Sequence, residues 1–106
     1  MISDIKIDKS KLEAFCLKWQ ITEVSLFGSV LRDDFTKQSD IDILIQFAPT
    51  ARWTLIDLAE MKDLLEVIMG NRKVDLVTKR SIENSRNPYR KKEILNSAKV
   101  IYAKAG

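Results

Sequence analysis

Ser39-Asp40-Ile41-Asp42-Ile43-Leu44-Ile45-Gln46-Phe47 is the stretch from which the fold is read. Its isoleucine-rich run, closed by Ala48-Pro49, predicts a strand over 41–47. Side chains alternate across a strand, so Ile41, Ile43 and Ile45 share one face while Asp40 and Asp42 share the other. The isoleucine face can be buried under helices. The aspartate face gathers two carboxylates at the strand's start, which is unfavourable unless one is protonated or a cation lies between them.

Working outward, 23–27 reads as a short strand stopped by Gly28-Ser29, and Val30-Leu31-Arg32 as a short helix beginning at Ser29. Before it, Leu12, Phe15, Cys16 and Trp19 recur at helical spacing. They predict a helix over about 11–19, capped by Ser10 with Glu13 completing a capping box, and place Cys16 and Trp19 in the core. Downstream, Leu55, Leu58, Met61, Leu65 and Ile68 form the apolar stripe of a helix over 54–69, stopped by Gly70. A third strand follows at 73–78. Asn87-Pro88 then reads as a cap and first-turn proline of a helix to about 96, and Val100-Ile101-Tyr102 as a last short strand. The expectation is an α/β (α+β) chain with a small sheet, a single domain over 1–106.

Composition narrows the chemistry. The 106 residues are 45% hydrophobic and 31% charged, as in a globular protein, and contain no histidine. Ser-His-Asp triads, Cys-His dyads and the usual zinc sites are therefore excluded. Cys16 stands alone and cannot form an internal disulfide. No apolar run approaches the roughly 20 residues that cross a bilayer. The N-terminal stretch lacks a signal peptide's apolar region, so a cytoplasmic location is expected. The net charge of +3 permits phosphate binding. Lys79, Arg80, Arg86, Arg90, Lys91 and Lys92 concentrate positive charge that fits a solvated helix face, ATP steering or an acidic protein surface. No aromatic-interleaved motif accompanies it, which speaks against direct nucleic-acid binding. Trp53 falls in a loop, as a partner anchor or as packing over a helix start. Tyr89 and Tyr102 are read as structural.

Catalysis must then rest on carboxylates, hydroxyls, lysines or arginines. Oxygen-only ligands favour a hard ion, Mg²⁺ or Mn²⁺. Asp75 interrupts the apolar run Val74-Asp75-Leu76-Val77, a costly place for a lone carboxylate. It makes sense if this strand lies beside the Asp40/Asp42 strand and all three carboxylates share metal ions, which stabilise attacking and leaving oxygens in phosphoryl displacement. Gly28 at a strand end, with Ser29 starting a helix, lets backbone N–H groups approach phosphate oxygens. Arg32 lies one turn on, within reach of the same phosphate.

Gly28-Ser29, ten intervening residues and Asp40-x-Asp42 resemble the signature of the DNA polymerase β-type nucleotidyltransferases. The stretches LFGSVLRDDFTKQSDIDILIQF and WTLIDLAEMKDLLEVIMGNRKVDLV are similar to the minimal nucleotidyltransferase antitoxins, over about residues 9–102. The resemblance implies a polymerase β-like fold, a small mixed sheet backed by helices. It implies that Asp40 and Asp42 ligate two Mg²⁺ ions, and that Asp75 completes the site and helps activate the incoming hydroxyl. Gly28 and Ser29 would hold the β- and γ-phosphates of ATP, and Arg32 would assist at the phosphates or the partner. Asp33 departs from the family pattern, where a glycine often follows the arginine. The implied activity is transfer of AMP from ATP to a tyrosine hydroxyl of a HEPN-domain ribonuclease toxin, a hetero-oligomeric partner that is thereby silenced. Two alternatives are an antitoxin that only occludes the toxin and a transferase for a small-molecule acceptor. The latter usually needs an added substrate domain.

Overall fold

The computed structural model describes residues 7–28, 40–84 and 88–104. The predicted short helix after Ser29 and the Asn87 cap lie outside the described residues.

Helix α1 (Lys9–Lys18) starts two residues earlier than the spacing predicts, because Asp8, not Ser10, is its cap. The Asp8 carboxylate accepts from the Lys11 N–H at 3.1 Å, and Ser10 lies within the first turn. Strand β1 (Ile21–Phe27) pairs antiparallel with β2 (Ile41–Phe47), the strand predicted over the same residues. Helix α2 (Leu55–Ile68) carries a full capping box between Thr54 and Asp57. It ends before Gly70, whose φ of 80° suits a residue without a Cβ.

Met61, Leu65 and Ile68 of the predicted stripe are buried, whereas Leu55 is 84% exposed. At about 100° per residue, Leu55 falls roughly 100° away from the mean direction of the other four. The chain returns as β3 (Val74–Thr78), passes through a short α3 (Lys79–Glu83) that the spacing does not predict, and continues through α4 (Pro88–Ser97) into β4 (Lys99–Ala103). Thr78 caps α3 by accepting from the Ser81 N–H, and Ile82 anchors it inward.

The sheet order is β3-β2-β1-β4, with β2 and β3 parallel and the other pairs antiparallel. This is the small mixed sheet expected. Ile41, Ile43 and Ile45 lie fully buried with Val24 and Leu26 against Leu12, Phe15, Cys16, Met61 and Leu65 of α1 and α2. On the opposite face, Phe27, Leu44, Val77, Ile82 and Ile94 form a smaller cluster with α3 and α4. Helices therefore cover both faces.

Cys16 and Trp19 are core residues, as their spacing predicts. Trp53 also packs inward. Its ring meets Trp19 edge-on at 5.0 Å, and its Nε1–H donates to the Trp19 carbonyl at 3.0 Å. Tyr102 packs against the main cluster, while Tyr89 is 84% exposed rather than structural filling. No helix among the described residues is long and apolar enough to cross a membrane.

Burial pushes the Cys16 thiol up to about 12 from its ordinary 9.0. The neutral thiol is the form the fold favours. Its contribution to stability is present below pH 9.0 and is lost as pH rises toward about 12, where the unfolded chain releases the proton first. Cys16 is expected to resist iodoacetamide at pH 8 in the native protein and to react fully in denaturant, as read by intact mass. Equal rates in both states would contradict this burial.

Candidate functional site

Burial of the three isoleucines fixes which way β2 faces, and therefore where Asp42 points. Asp42 stands opposite Phe27 on β1 and opposite Asp75 on β3. Register partners on adjacent strands project to the same face, and the strands run about 4.8 Å apart. The lone charge of β3 thus lies beside the aspartate strand, as its sequence position predicts. Asp42 is half-buried and Asp75 exposed; Asp40 is exposed one residue before β2 begins. Below Asp42 and Asp75 on that face, Leu44 and Val77 begin the second apolar cluster, so the carboxylates sit at its upper rim.

Gly28 closes the site from the β1 side. Its φ is 71°, a conformation that suits glycine. A Cβ built on it would overlap Oδ2 of Asp42. The strand-end glycine and the aspartate, fourteen positions apart in sequence, are thus in direct apposition. Ser29, Arg32 and Asp33 lie outside the described residues.

Among the described residues no three acidic or sulfur side chains close on a single point as a ready metal cage. Asp40, Asp42 and Asp75 share one end of the β2–β3 pair without converging further, as mutual repulsion of like charges favours. The donor set is nevertheless all oxygen. That chemistry fits a hard divalent cation and disfavours zinc or copper.

Glu66 has no sequence signal that marks it. Its Oε2 accepts from the Val74 N–H at 3.0 Å, while the Lys73 carbonyl accepts from the Ile41 N–H at 2.9 Å on the β2 side. The start of β3 is therefore held from both flanks, one residue before Asp75. Glu66 reads in sequence only as one more helix-surface charge. The tight return through Gly70 and Asn71, both at positive φ, brings β3 back to it.

The basic segment divides. Lys79 is half-buried with its Nζ 3.4 Å from Gln46 Oε1, and Arg80 is exposed at the far end of β3 from Asp75.

The chain matches the family model described as nucleotidyltransferase domain over residues 9–101. A relative from Methanocaldococcus jannaschii, provisionally named a protein adenylyltransferase, is 42% identical over 77 residues, 73% of each chain. A solved structure, provisionally described as a minimal nucleotidyltransferase, is 31% identical and superposes with a TM-score of 0.63 over 86% of this chain and 85% of its own. A crystal structure of a toxin–antitoxin with AMP-PNP shares the fold at a TM-score of 0.67 and 22% identity, covering 92% of this chain and 75% of that one. Sequence, strand register and these likenesses agree: the chain belongs to the nucleotidyltransferase domain family, among the minimal nucleotidyltransferases of the polymerase β-like superfamily.

Proposed function

We propose that the protein is an antitoxin that transfers AMP from ATP to a tyrosine hydroxyl of a HEPN-domain ribonuclease toxin. The observation that carries this is the apposition of Gly28 and Asp42 with Asp75 in register beside them. A phosphate chain lying along the glycine turn is brought directly to the carboxylates. The AMP-PNP in a structure of the same fold supports a nucleotide as the ligand.

Asp40, Asp42 and Asp75 would hold Mg²⁺, two ions in all, with Mn²⁺ as a substitute. The ions would neutralise charge on the phosphates and on the attacking oxygen. Gly28 supplies backbone that a triphosphate can approach without a side chain intervening, and the sequence motif assigns Ser29 and Arg32 to the same phosphates. Asp75, exposed at the edge strand of the sheet, would face the incoming hydroxyl and help take up its proton. The acceptor oxygen forms a bond to the α-phosphorus, the bond to the bridging oxygen breaks, and pyrophosphate leaves. The chain's contribution is alignment of the two oxygens and charge placed where it develops.

Incubated with ATP, Mg²⁺ and the proposed HEPN-domain partner, the wild-type protein should add nucleoside-monophosphate mass to that partner. Asp42→Asn should lower the rate by roughly 100-fold or more, the scale of losing a preorganised charge at a reacting centre. Inhibition of the toxin without ATP, unchanged by Asp42→Asn, would overturn transfer in favour of occlusion.

Gly28→Ala should cost about 1–3 kcal/mol in chemical denaturation, from strained backbone and the displaced Asp42. It should also abolish transfer; wild-type stability would contradict the apposition. Glu66→Ala should unprotect the Val74 amide in hydrogen exchange and lower transfer, while Glu66→Gln, which keeps an acceptor, should restore most of both. An unchanged Val74 amide in Glu66→Ala would remove this positioning role.

A further inference from the structure

At the carboxyl ends of β2 and β3, opposite the carboxylates, lies a cleft of about 360 Å³ between the 48–52 loop and α3. Phe47 and Pro49 belong to its apolar lining, and three positive charges reach it from two sides, Arg52 from the loop and Lys79 and Arg80 from the first turn of α3. Glu83 is the one carboxylate in the lining. Among the described residues none of the three cations pairs with a carboxylate.

Two of the cations are held in place. One terminal nitrogen of Arg52 donates to the Pro49 and Ala51 carbonyls at 3.1 and 3.2 Å, which leaves the remaining guanidinium donors for a ligand. Lys79 is tethered to Gln46. Anchored, uncompensated charge in a concavity attracts an anion more strongly than mobile surface lysines do, because less side-chain freedom is lost on binding.

The lining also says which anion. A single-stranded nucleic acid wants an aromatic face for its bases. Trp53 turns its ring to Trp19 and is not in the lining, and the one aromatic that is, Phe47, is partly buried against the main core, so no stack of rings is offered. An apolar floor under a cationic rim suits a polypeptide segment with an apolar anchor and acidic neighbours.

We propose that this cleft docks an acidic, apolar-anchored segment of the protein acceptor. The proposal rests on the reading above that the acceptor is a protein. Asp42 and Phe47 are five residues apart on one strand, about 16 Å at the usual rise. A partner seated in the cleft is thus held along the length of β2, with a second region left over the carboxylates. The arrangement supplies acceptor affinity away from the reacting atoms and leaves the chemistry to the other end of the sheet.

The test uses a fluorescein-labelled peptide of alternating Glu and Leu, an oligouridine of equal charge, and the HEPN partner. In fluorescence anisotropy the peptide should bind wild-type and Asp42→Asn protein alike. It should bind R52E/R80E roughly tenfold more weakly, given near-wild-type thermal unfolding of that variant. The charge-matched reversal K11E/K18E on α1 should leave binding unchanged. Tighter binding of oligouridine than of peptide, or an equal loss in K11E/K18E, would overturn the proposal. In the transfer assay R52E/R80E should raise the acceptor KM roughly tenfold with little change in kcat. Transfer with an unchanged acceptor KM overturns the cleft alone. Absence of transfer by the wild type, with peptide binding intact and R52E/R80E-sensitive, overturns the transferase reading alone.

Discussion

The period of two along β2 is what the remaining geometry depends on. Ile41, Ile43 and Ile45 are each fully buried between the sheet and helices α1 and α2. A slip of one residue would bring them out and drive Asp42 into that apolar layer, where an unpaired carboxylate costs several kcal/mol. The same alternation that stabilises the core therefore commits Asp42 to the opposite face. Once it is there, pairing with β3 sets Asp75 beside it, and pairing with β1 sets Gly28 against it. Core packing and site assembly are one constraint seen from two sides of a strand.

The connection between β2 and β3 reinforces this. Parallel neighbours need a crossover, and α2 supplies it. Its own ends are closely specified, by the Thr54–Asp57 capping box at the start and by Gly70 at the end. Glu66 then joins helix to strand at Val74. A charge that would otherwise be solvated takes the outward N–H of an edge strand, next to Asp75. On the far face, Phe27, Leu44, Val77, Ile82 and Ile94 give the carboxylates a firm base.

Much of this was legible in residue order because it rests on local rules. The strand over 41–47 follows from alternation, the long helix from its stripe, and the adjacency of Asp75 from the cost of a lone charge in an apolar strand. The departures arise where a nearby alternative competes. Asp8 and Ser10 are both good caps, and the acidic one two residues upstream is used. Leu55 has the right residue type for the stripe and the wrong angle. Helix α3 is one turn and a half, too short for periodicity to declare itself, and depends on the Thr78 cap and on Ile82 reaching the second cluster. Glu66 was illegible for a different reason: its partner is a backbone amide across a turn, and backbone amides carry no sequence signature. Trp53 is intermediate, since either an anchor or a packing role suits a loop tryptophan until Trp19 is found beneath it.

The electrostatic layout separates two tasks. Carboxylates gather at the amino ends of the parallel pair and cations at its carboxyl ends, so a chain of modest net charge carries opposed local fields. A polyanion would need a bridging cation at the acidic end and none at the basic end. The central claim is that the end bearing Gly28, Asp42 and Asp75 is a metal-dependent nucleotide site, and calorimetric titration with a non-hydrolysable ATP analogue tests it most directly. Binding is expected in Mg²⁺, with a loss of roughly tenfold or more in EDTA or in Asp42→Asn. Binding that is indifferent to both would contradict it.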